Sequence, residues 1–187
     1  MYHLSTDVLV VGAGAAGMYA SVSAAKSGAD VILCDKSLIS RGGATVMAQM
    51  TVAAAIAHQE ADHWTHHLHD TIQSGQGLCN EKLSYQLCKN APKKILEMRG
   101  WKTDWANDNA RIRQVLAPGH EVKRCCYVDF LNTGPAVART LRGKVAKHKN
   151  IKRISGITII DLVVKKARVV GAIGLHTETG DLSLIHI

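Results

Sequence analysis

Three glycines at the spacing G-x-G-x-x-G, namely Gly12, Gly14 and Gly17, constrain the fold of this chain more than any other feature. They follow an apolar run at residues 6–11, which predicts a β-strand, and they lead into a predicted helix over residues 15–27. The first glycine of such a loop permits the tight turn, the second lets a pyrophosphate approach the backbone, and the third lets the helix pack closely on the strand. The amides at the start of the helix then favour a bound phosphate.

An acidic residue completes this pattern. Residues Val31–Asp35 predict a second, parallel strand, and its last residue, Asp35, lies 18 residues after Gly17. A carboxylate at this place accepts hydrogen bonds from an adenosine ribose and does not suit the 2′-phosphate of NADP. Strand, glycines, helix, strand and acid in this order predict a dinucleotide-binding unit for FAD or NAD, whereas a glycine-rich surface turn would explain the glycines alone.

Length and composition set the broad class. The 187 residues suffice for one domain with a sizeable core, or for a domain with part of another. Residues 46–57 come nearest to a membrane span, but they are too few and contain Gln49 and Thr51. The first strand begins so close to Met1 that no signal peptide is predicted, and five cysteines without a C-x-x-C pair do not suit a secreted disulfide framework. We therefore expect a cytoplasmic protein with no integral membrane segment.

The net charge of +8 raises the question of an acidic partner. No aromatic residue is interleaved with the main basic run, and no DNA-binding motif is present, so we predict a solvated helix face and no nucleic-acid binding. The run consists of Arg139, Arg142, Lys144, Lys147, Lys149, Lys152 and Arg153.

Beyond Asp35, a polar and glycine-rich loop runs into a predicted small-residue helix near Thr45. Further informative stretches are residues 45–49, 62–64, 70–71, 75–78, 91–92, 119–120, 124–129 and 133–134. Together with the glycine loop, they resemble the flavoprotein family that contains the succinate dehydrogenase and fumarate reductase flavoprotein subunits and L-aspartate oxidase. The resemblance extends over nearly the whole chain.

This resemblance implies an α/β fold, with a Rossmann-like FAD-binding domain over residues 1–187 that has a parallel sheet, helices on its faces and a β-meander. The implied function is the FAD-binding N-terminal portion of a fumarate reductase or succinate dehydrogenase type flavoprotein, an FAD-dependent oxidoreductase. Its full-length parent would transfer a hydride between FAD and a dicarboxylate, with an iron–sulfur subunit as a candidate electron-transfer partner. The substrate histidines and arginines of the family lie further along, so no catalytic residue is predicted here and the chain alone is not expected to turn over.

The residues predicted to contact the cofactor follow from the glycine loop and from the resemblance. One departure from the family is Ala44, which stands where covalent members carry the histidine bonded to FAD, and we therefore expect non-covalent FAD. Another is Met50 with Thr51, where the family usually has two glycines. The predicted contacts are Gly12, Ala13, Gly14, Ala15, Ala16, Gly17, Asp35, Lys36, Ser37, Arg41, Gly43, Ala44, Thr45, Ala48 and Gln49.

Two other functions stay open. An L-aspartate oxidase would also bind FAD non-covalently but would deaminate an amino acid, and a non-catalytic NAD-binding Rossmann module would lack flavin. A metal site is not predicted, because His63 and His67 lie four residues apart on a predicted polar helix face without an H-E-x-x-H pattern or a clear third ligand. His120, in a Pro-Gly turn, is interpreted as a residue that stabilises its loop or the flavin side in preference to a general acid.

The remaining elements are predicted from caps and periodicity. Asn80 is predicted to cap a helix that buries Leu83 and Leu87, and Pro92 is predicted to start a separate helix that Gly100 ends. Residues 157–177 predict a two-stranded meander with a turn at 165–167. In the family this meander leads to a second glycine motif, so we interpret the chain as truncated, with residues 182–187 resembling translated adaptor sequence.

Overall fold

In a computed structural model, which describes residues 2–187, the chain divides into two compact units. The first unit comprises Met1–Met47 and Ala138–Ile187, and the second comprises Ala48–Val137. Within the described residues, no helix combines the length and the apolar character that crossing a bilayer requires.

Five helices and twelve strands are described in residues 2–187. The helices are α1 (Ala15–Lys26), α2 (Ala44–Met47), α3 (Trp64–Gly75), α4 (Glu81–Gly100) and α5 (Thr133–Lys147). The strands are β1 (Tyr2–Ser5), β2 (Val8–Val11), β3 (Val31–Asp35), β4 (Val52–Ala53), β5 (Asn107–Asp108), β6 (Arg111–Ile112), β7 (Gln114–Val115), β8 (Cys125–Cys126), β9 (Ile151–Ser155), β10 (Ile157–Lys165), β11 (Arg168–His176) and β12 (Leu182–His186).

A parallel sheet of order β2-β3-β9 forms the first layer of the first unit. Residues 31–34 of the central strand β3 are all buried, as expected for a strand with a neighbour on each side and covered faces. Helix α1 packs on β2 and β3 and buries Met18, Val22 and Ala25. The predicted strand, glycine loop, helix and strand are therefore confirmed.

A mixed sheet of order β1-β12-β11-β10 forms the other layer. Its antiparallel β10 and β11 confirm the predicted meander, and Lys166 and Ala167 make the turn with positive φ. Strand β12 lies between β11 and β1. Ile185 of β12 is fully buried against Ile32 and Ile157 in the core. This packing does not support the interpretation of residues 182–187 as translated adaptor sequence.

The second unit contains α3 and α4, which pack on each other. Asn80 caps α4 as predicted, because its Oδ1 accepts a hydrogen bond from the Leu83 amide at 3.1 Å. The prediction that Leu83 and Leu87 are buried is wrong, since they are 67% and 59% exposed. The buried face of α4 instead carries Cys88, Ile95 and Met98. Leu87 lies one residue before Cys88, which is about 100° of helix rotation away from the buried face. Leu83 lies four residues before Leu87 and therefore shares its exposed side of the helix.

The prediction of a helix break at Pro92 is also wrong. Helix α4 continues through Pro92 to Gly100. A proline inside a helix removes one backbone hydrogen bond and crowds the preceding turn. Buried residues on both sides of Pro92, at Cys88 and Ile95, offset this cost through packing.

Candidate functional site

Two of the three loop glycines are required by the backbone. Gly12 ends β2 with φ of +98°, in the region that favours glycine, and its amide donates to the Cys34 carbonyl at 2.8 Å. A Cβ on Gly17 would overlap the carbonyl of Gly12, so only glycine lets α1 approach the loop this closely. These two residues thus fix the shape of the turn between β2 and α1.

Gly14 differs from the other two. It is the N-cap of α1 with φ of −73° and ψ of −176°, an ordinary extended conformation that any residue can adopt. A Cβ here would meet only the Thr45 hydroxyl oxygen, at 3.3 Å. The backbone therefore does not need glycine at this position, but the absence of a side chain leaves space at the N-cap of α1, as close approach of a pyrophosphate requires.

Asp35 at the end of β3 is tied to the glycine loop. Its Oδ2 accepts from the Ala13 amide at 2.6 Å, and its Oδ1 accepts from the amide and hydroxyl of Ser37, both at 2.8 Å. Partial burial would raise the pKa of Asp35, but these hydrogen bonds outweigh it and hold the pKa below its usual value. The carboxylate is therefore charged at neutral pH, and Oδ2 retains a lone pair for a further donor.

Thr45, at the start of α2, lies next to the same loop. Its Oγ1 accepts a hydrogen bond from the Ala15 amide at 2.9 Å, so the Thr45 hydroxyl proton is available to a ligand. Gly43 has φ of +79° and leads into α2, where Ala44 is the first residue. The hydrogen bond between Ala15 and Thr45 therefore joins the glycine loop directly to the second predicted segment of the first unit.

A cavity of about 550 Å³ lies at the carboxyl ends of β3 and β9. It is lined by the predicted residues Lys36 and Ser37 and, unforeseen from the sequence, by Ser155, Gly156 and the loop at 176–179. Parallel sheets bind ligands at this edge, so recognising β9 as a strand would have identified Ser155 and Gly156. A larger cavity of about 770 Å³ lies between α3 and α4 and contains none of the predicted cofactor residues.

Ala48 and Gln49 belong to the second unit. Their carbonyls accept hydrogen bonds from the Gly134 and Thr133 amides at 2.7 and 3.2 Å. These bonds satisfy two of the free amides at the start of α5. Both predicted residues thus have a structural contact within their own unit.

Comparison with known proteins identifies the family. Residues 7–186 match the family described as FAD binding domain. The chain belongs to this family. The match to an FAD-binding family confirms the predicted cofactor and favours FAD over the alternative of an NAD-binding module.

The relatives agree with the resemblance found in the sequence. The chain is 33% identical over 181 residues to an uncharacterized FAD-dependent oxidoreductase of Methanocaldococcus jannaschii, covering 96% of this chain and 32% of that protein. It is 29% identical over 189 residues to the succinate dehydrogenase flavoprotein subunit of Rickettsia bellii, covering 96% and 31%. The Mycobacterium smegmatis Sdh1 complex in the apo form superposes with a TM-score of 0.95 at 28% identity, over 100% of this chain and 33% of that chain. The chain therefore spans about a third of the length of these relatives.

The second unit of this FAD-binding domain contains a buried arginine that the sequence did not single out as a site. Arg124 donates from Nε and Nη2 to both oxygens of Asp62, at 2.9 and 3.1 Å, and from Nη1 to Asp70. The side chains of Arg124 and Asp62 are 0% exposed, and that of Asp70 is 2% exposed. Burial opposes charge on Arg124, but the hydrogen bonds from Arg124 to both carboxylates raise its pKa above the ordinary value.

Two histidines pack beside this network. His120 Nδ1 lies 3.3 Å from Arg124 Nη1, which can only donate, so His120 accepts through this nitrogen and is neutral. This contact agrees with a loop-stabilising role for His120. The prediction that His67 lies on a polar helix face is wrong, because it is 2% exposed with its ring 5.6 Å from that of His120. Within residues 2–187, no three or more His, Cys, Asp or Glu side chains are arranged so that they could hold a metal ion.

The buried histidine predicts a pH-dependent stability. Burial and the nearby Arg124 and His120 lower the pKa of His67 to about 4, although Asp62 and Asp70 act in the opposite direction. Between about pH 6.5 and 4 the unfolded state binds the proton and the folded state does not, so stability is lost as the pH falls through this window. This effect of His67 should amount to about 2 kcal/mol between pH 7 and pH 5.

Denaturant unfolding of wild type and His67→Leu at both pH values measures this contribution. The variant should lose about 2 kcal/mol less stability on acidification than the wild type. The control is Gln73→Leu, which introduces the same side chain at an exposed position of the same helix without removing an ionisable group, and which should keep the wild-type pH dependence. Equal pH dependence in wild type and His67→Leu would contradict the assignment.

Proposed function

We propose that this chain is the FAD-binding N-terminal portion of a succinate dehydrogenase or fumarate reductase type flavoprotein, an FAD-dependent oxidoreductase. The observation that carries the proposal is the absence of a side chain at Gly14, the N-cap of α1, beside a loop fixed by the charged Asp35. The similarity to a succinate dehydrogenase flavoprotein subunit over 96% of the chain supports it.

In this proposal the predicted residues form three groups, one for each part of the cofactor. The loop from Gly12 to Gly17 and the Thr45 hydroxyl would hold the pyrophosphate, and Asp35 with Lys36 and Ser37 would hold the adenosine. Residues Arg41, Gly43, Ala44, Ala48 and Gln49 would lie along the flavin side. Bound FAD supplies a hydride acceptor or donor at its N5, and the residues of this chain orient it and set its electrostatic surroundings.

The substrate and partners belong to the full-length parent. We propose a dicarboxylate as substrate, an iron–sulfur subunit as electron-transfer partner and the cytoplasm as compartment. These assignments rest on the resemblance to the family, because the part of the family that carries the substrate histidines and arginines lies beyond the region matched here.

Assays of the full-length parent test the proposal against its closest alternative. Purified protein should show flavin absorbance and should interconvert succinate and fumarate with an artificial electron acceptor or donor. L-aspartate oxidase is the second candidate, because Ala44 is equally suited to the non-covalent FAD that the resemblance implies for that enzyme. Oxidation of aspartate without turnover of succinate or fumarate would decide for it.

Non-covalent attachment is tested independently. The methyl side chain of Ala44 cannot supply the ring nitrogen through which the covalent members bond their flavin. Acid precipitation of the full-length parent should therefore release all of its FAD to the supernatant. A sample that receives free FAD after denaturation gives the background, and flavin fluorescence above this background in the washed pellet would show that another residue forms the bond.

A further inference from the structure

Three arginines of the first unit line one cavity. Arg41 follows the turn after β3, Arg142 lies on α5 and Arg153 lies on β9, so the chain brings them together from three separate segments. The cavity has a volume of about 460 Å³. Its remaining lining residues are Leu38, Ile39 and Ser155.

These positive charges have no carboxylate partner. Within residues 2–187, none of Arg41, Arg142 and Arg153 forms an ion pair. Arg142 Nη1 donates a hydrogen bond to the Ser40 hydroxyl at 3.5 Å. Like charges that share a cavity repel one another. A bound anion would remove this repulsion, so the cavity favours a ligand with more than one negative charge.

The local backbone prepares the cavity wall. The Arg41 amide donates to the Leu38 carbonyl at 2.9 Å, and Ser40 has φ of +62°, so a tight turn sets the direction of the chain at Arg41. The Ile39 amide donates to Ser155 Oγ at 3.4 Å. Because this oxygen already accepts, the hydroxyl proton of Ser155 is available to a ligand.

We propose that this cavity, which adjoins the proposed FAD site, binds the phosphate group of a small phosphorylated ligand while FAD stays bound. Guanidinium groups bind phosphate through paired, charge-assisted hydrogen bonds, and three of them with one hydroxyl donor match its several oxygens. The volume exceeds that of a phosphate ion, and Leu38 and Ile39 provide an apolar wall for the carbon part of an ester. Arg41 is also a predicted FAD contact, whereas Arg142 and Arg153 have no role in the proposed FAD site, so variants of these two arginines test the proposal.

Titration of the FAD-loaded full-length protein with inorganic phosphate tests this site. Isothermal titration calorimetry at constant ionic strength, with sodium chloride as reference, should show saturable phosphate binding. The flavin should stay bound to the protein, as measured by its absorbance. Arg142→Gln and Arg153→Gln should each weaken binding about tenfold. The control Lys149→Gln removes one charge from the same basic run, outside the cavity lining, and should bind phosphate as the wild type does.

Four outcomes would overturn the proposal. They are absence of saturable binding above the chloride reference, equal weakening by Lys149→Gln, release of FAD by phosphate, and tighter binding of succinate than of phosphate with the same dependence on Arg142 and Arg153. The succinate arm separates phosphate from dicarboxylate chemistry, and the FAD readout separates this cavity from the cofactor site.

Discussion

Replacing Arg124 with methionine is expected to lower the free energy of unfolding by about 3–5 kcal/mol, which is the usual cost of removing one partner from a buried ion pair. The variant leaves the carboxylates of Asp62 and Asp70 buried without the fork that bonds to both. Hydrogen bonds from the Glu121 amide and from Arg124 hold the pKa of Asp70 below its usual value against the opposing effect of burial, so loss of Arg124 leaves an uncompensated charge.

The neighbouring residue provides a matched control. Lys123 pairs with Glu60 at 3.2 Å, but their side chains are 52% and 37% exposed, so Lys123→Met should destabilise the protein far less than Arg124→Met. Arg124→Lys keeps the charge but loses the bidentate geometry, and its effect should lie between the other two. Urea denaturation of all three variants makes the comparison, and equal losses for the methionine variants at 123 and 124 would contradict a structural role for the buried network.

The sequence predicted the part of the fold that depends on neighbouring residues. The run from β2 through α1 to β3 is set by an apolar strand, three glycines at fixed spacing and a terminal acid, all within 35 residues of the start. The hairpin of β10 and β11 follows from two segments rich in β-branched residues and a turn between them. Because these signals depend only on residues that are close in sequence, they can be recognised without knowledge of the tertiary structure.

Long-range contacts were not predictable in this way. Arg124 pairs with carboxylates 62 and 54 positions earlier, and no periodicity links them. The position of β12 between β1 and β11 joins opposite ends of the chain. Helix α4 continues through Pro92 because packing on both sides outweighs the local penalty. In each case, the observed structure depends on tertiary contacts that the local sequence does not indicate.

The candidate site shows the same division. The sequence identified the glycine loop and Asp35, but it assigned Asp35 to the ribose alone. Asp35 also accepts from Ala13 and Ser37, so it fixes the loop that the cofactor would approach. A loss of FAD binding in an Asp35 variant would therefore combine a lost ligand contact with a loosened loop. A substitution at Gly14 separates these two effects, because Gly14 needs no glycine-specific backbone conformation.

Gly14→Val is expected to remove most of the FAD from the full-length protein while its fold is retained. The added branched side chain would occupy the space beside the Thr45 hydroxyl at the N-terminus of α1, where the proposed pyrophosphate approaches the backbone. Loss of charge-assisted hydrogen bonds there should weaken FAD binding about tenfold to a hundredfold. The flavin-to-protein absorbance ratio measures occupancy, and circular dichroism monitors the fold.

Gly143→Val is the matched control for Gly14→Val. Gly143 lies on α5, and a Cβ there would meet nothing within 4 Å. This variant introduces the same side chain away from the loop, so its FAD occupancy should equal that of the wild type. Because both variants add the same valine side chain, a difference in FAD occupancy between them depends on its position. Full FAD occupancy in a folded Gly14→Val protein would place the pyrophosphate elsewhere and would refute the assignment of the glycine loop.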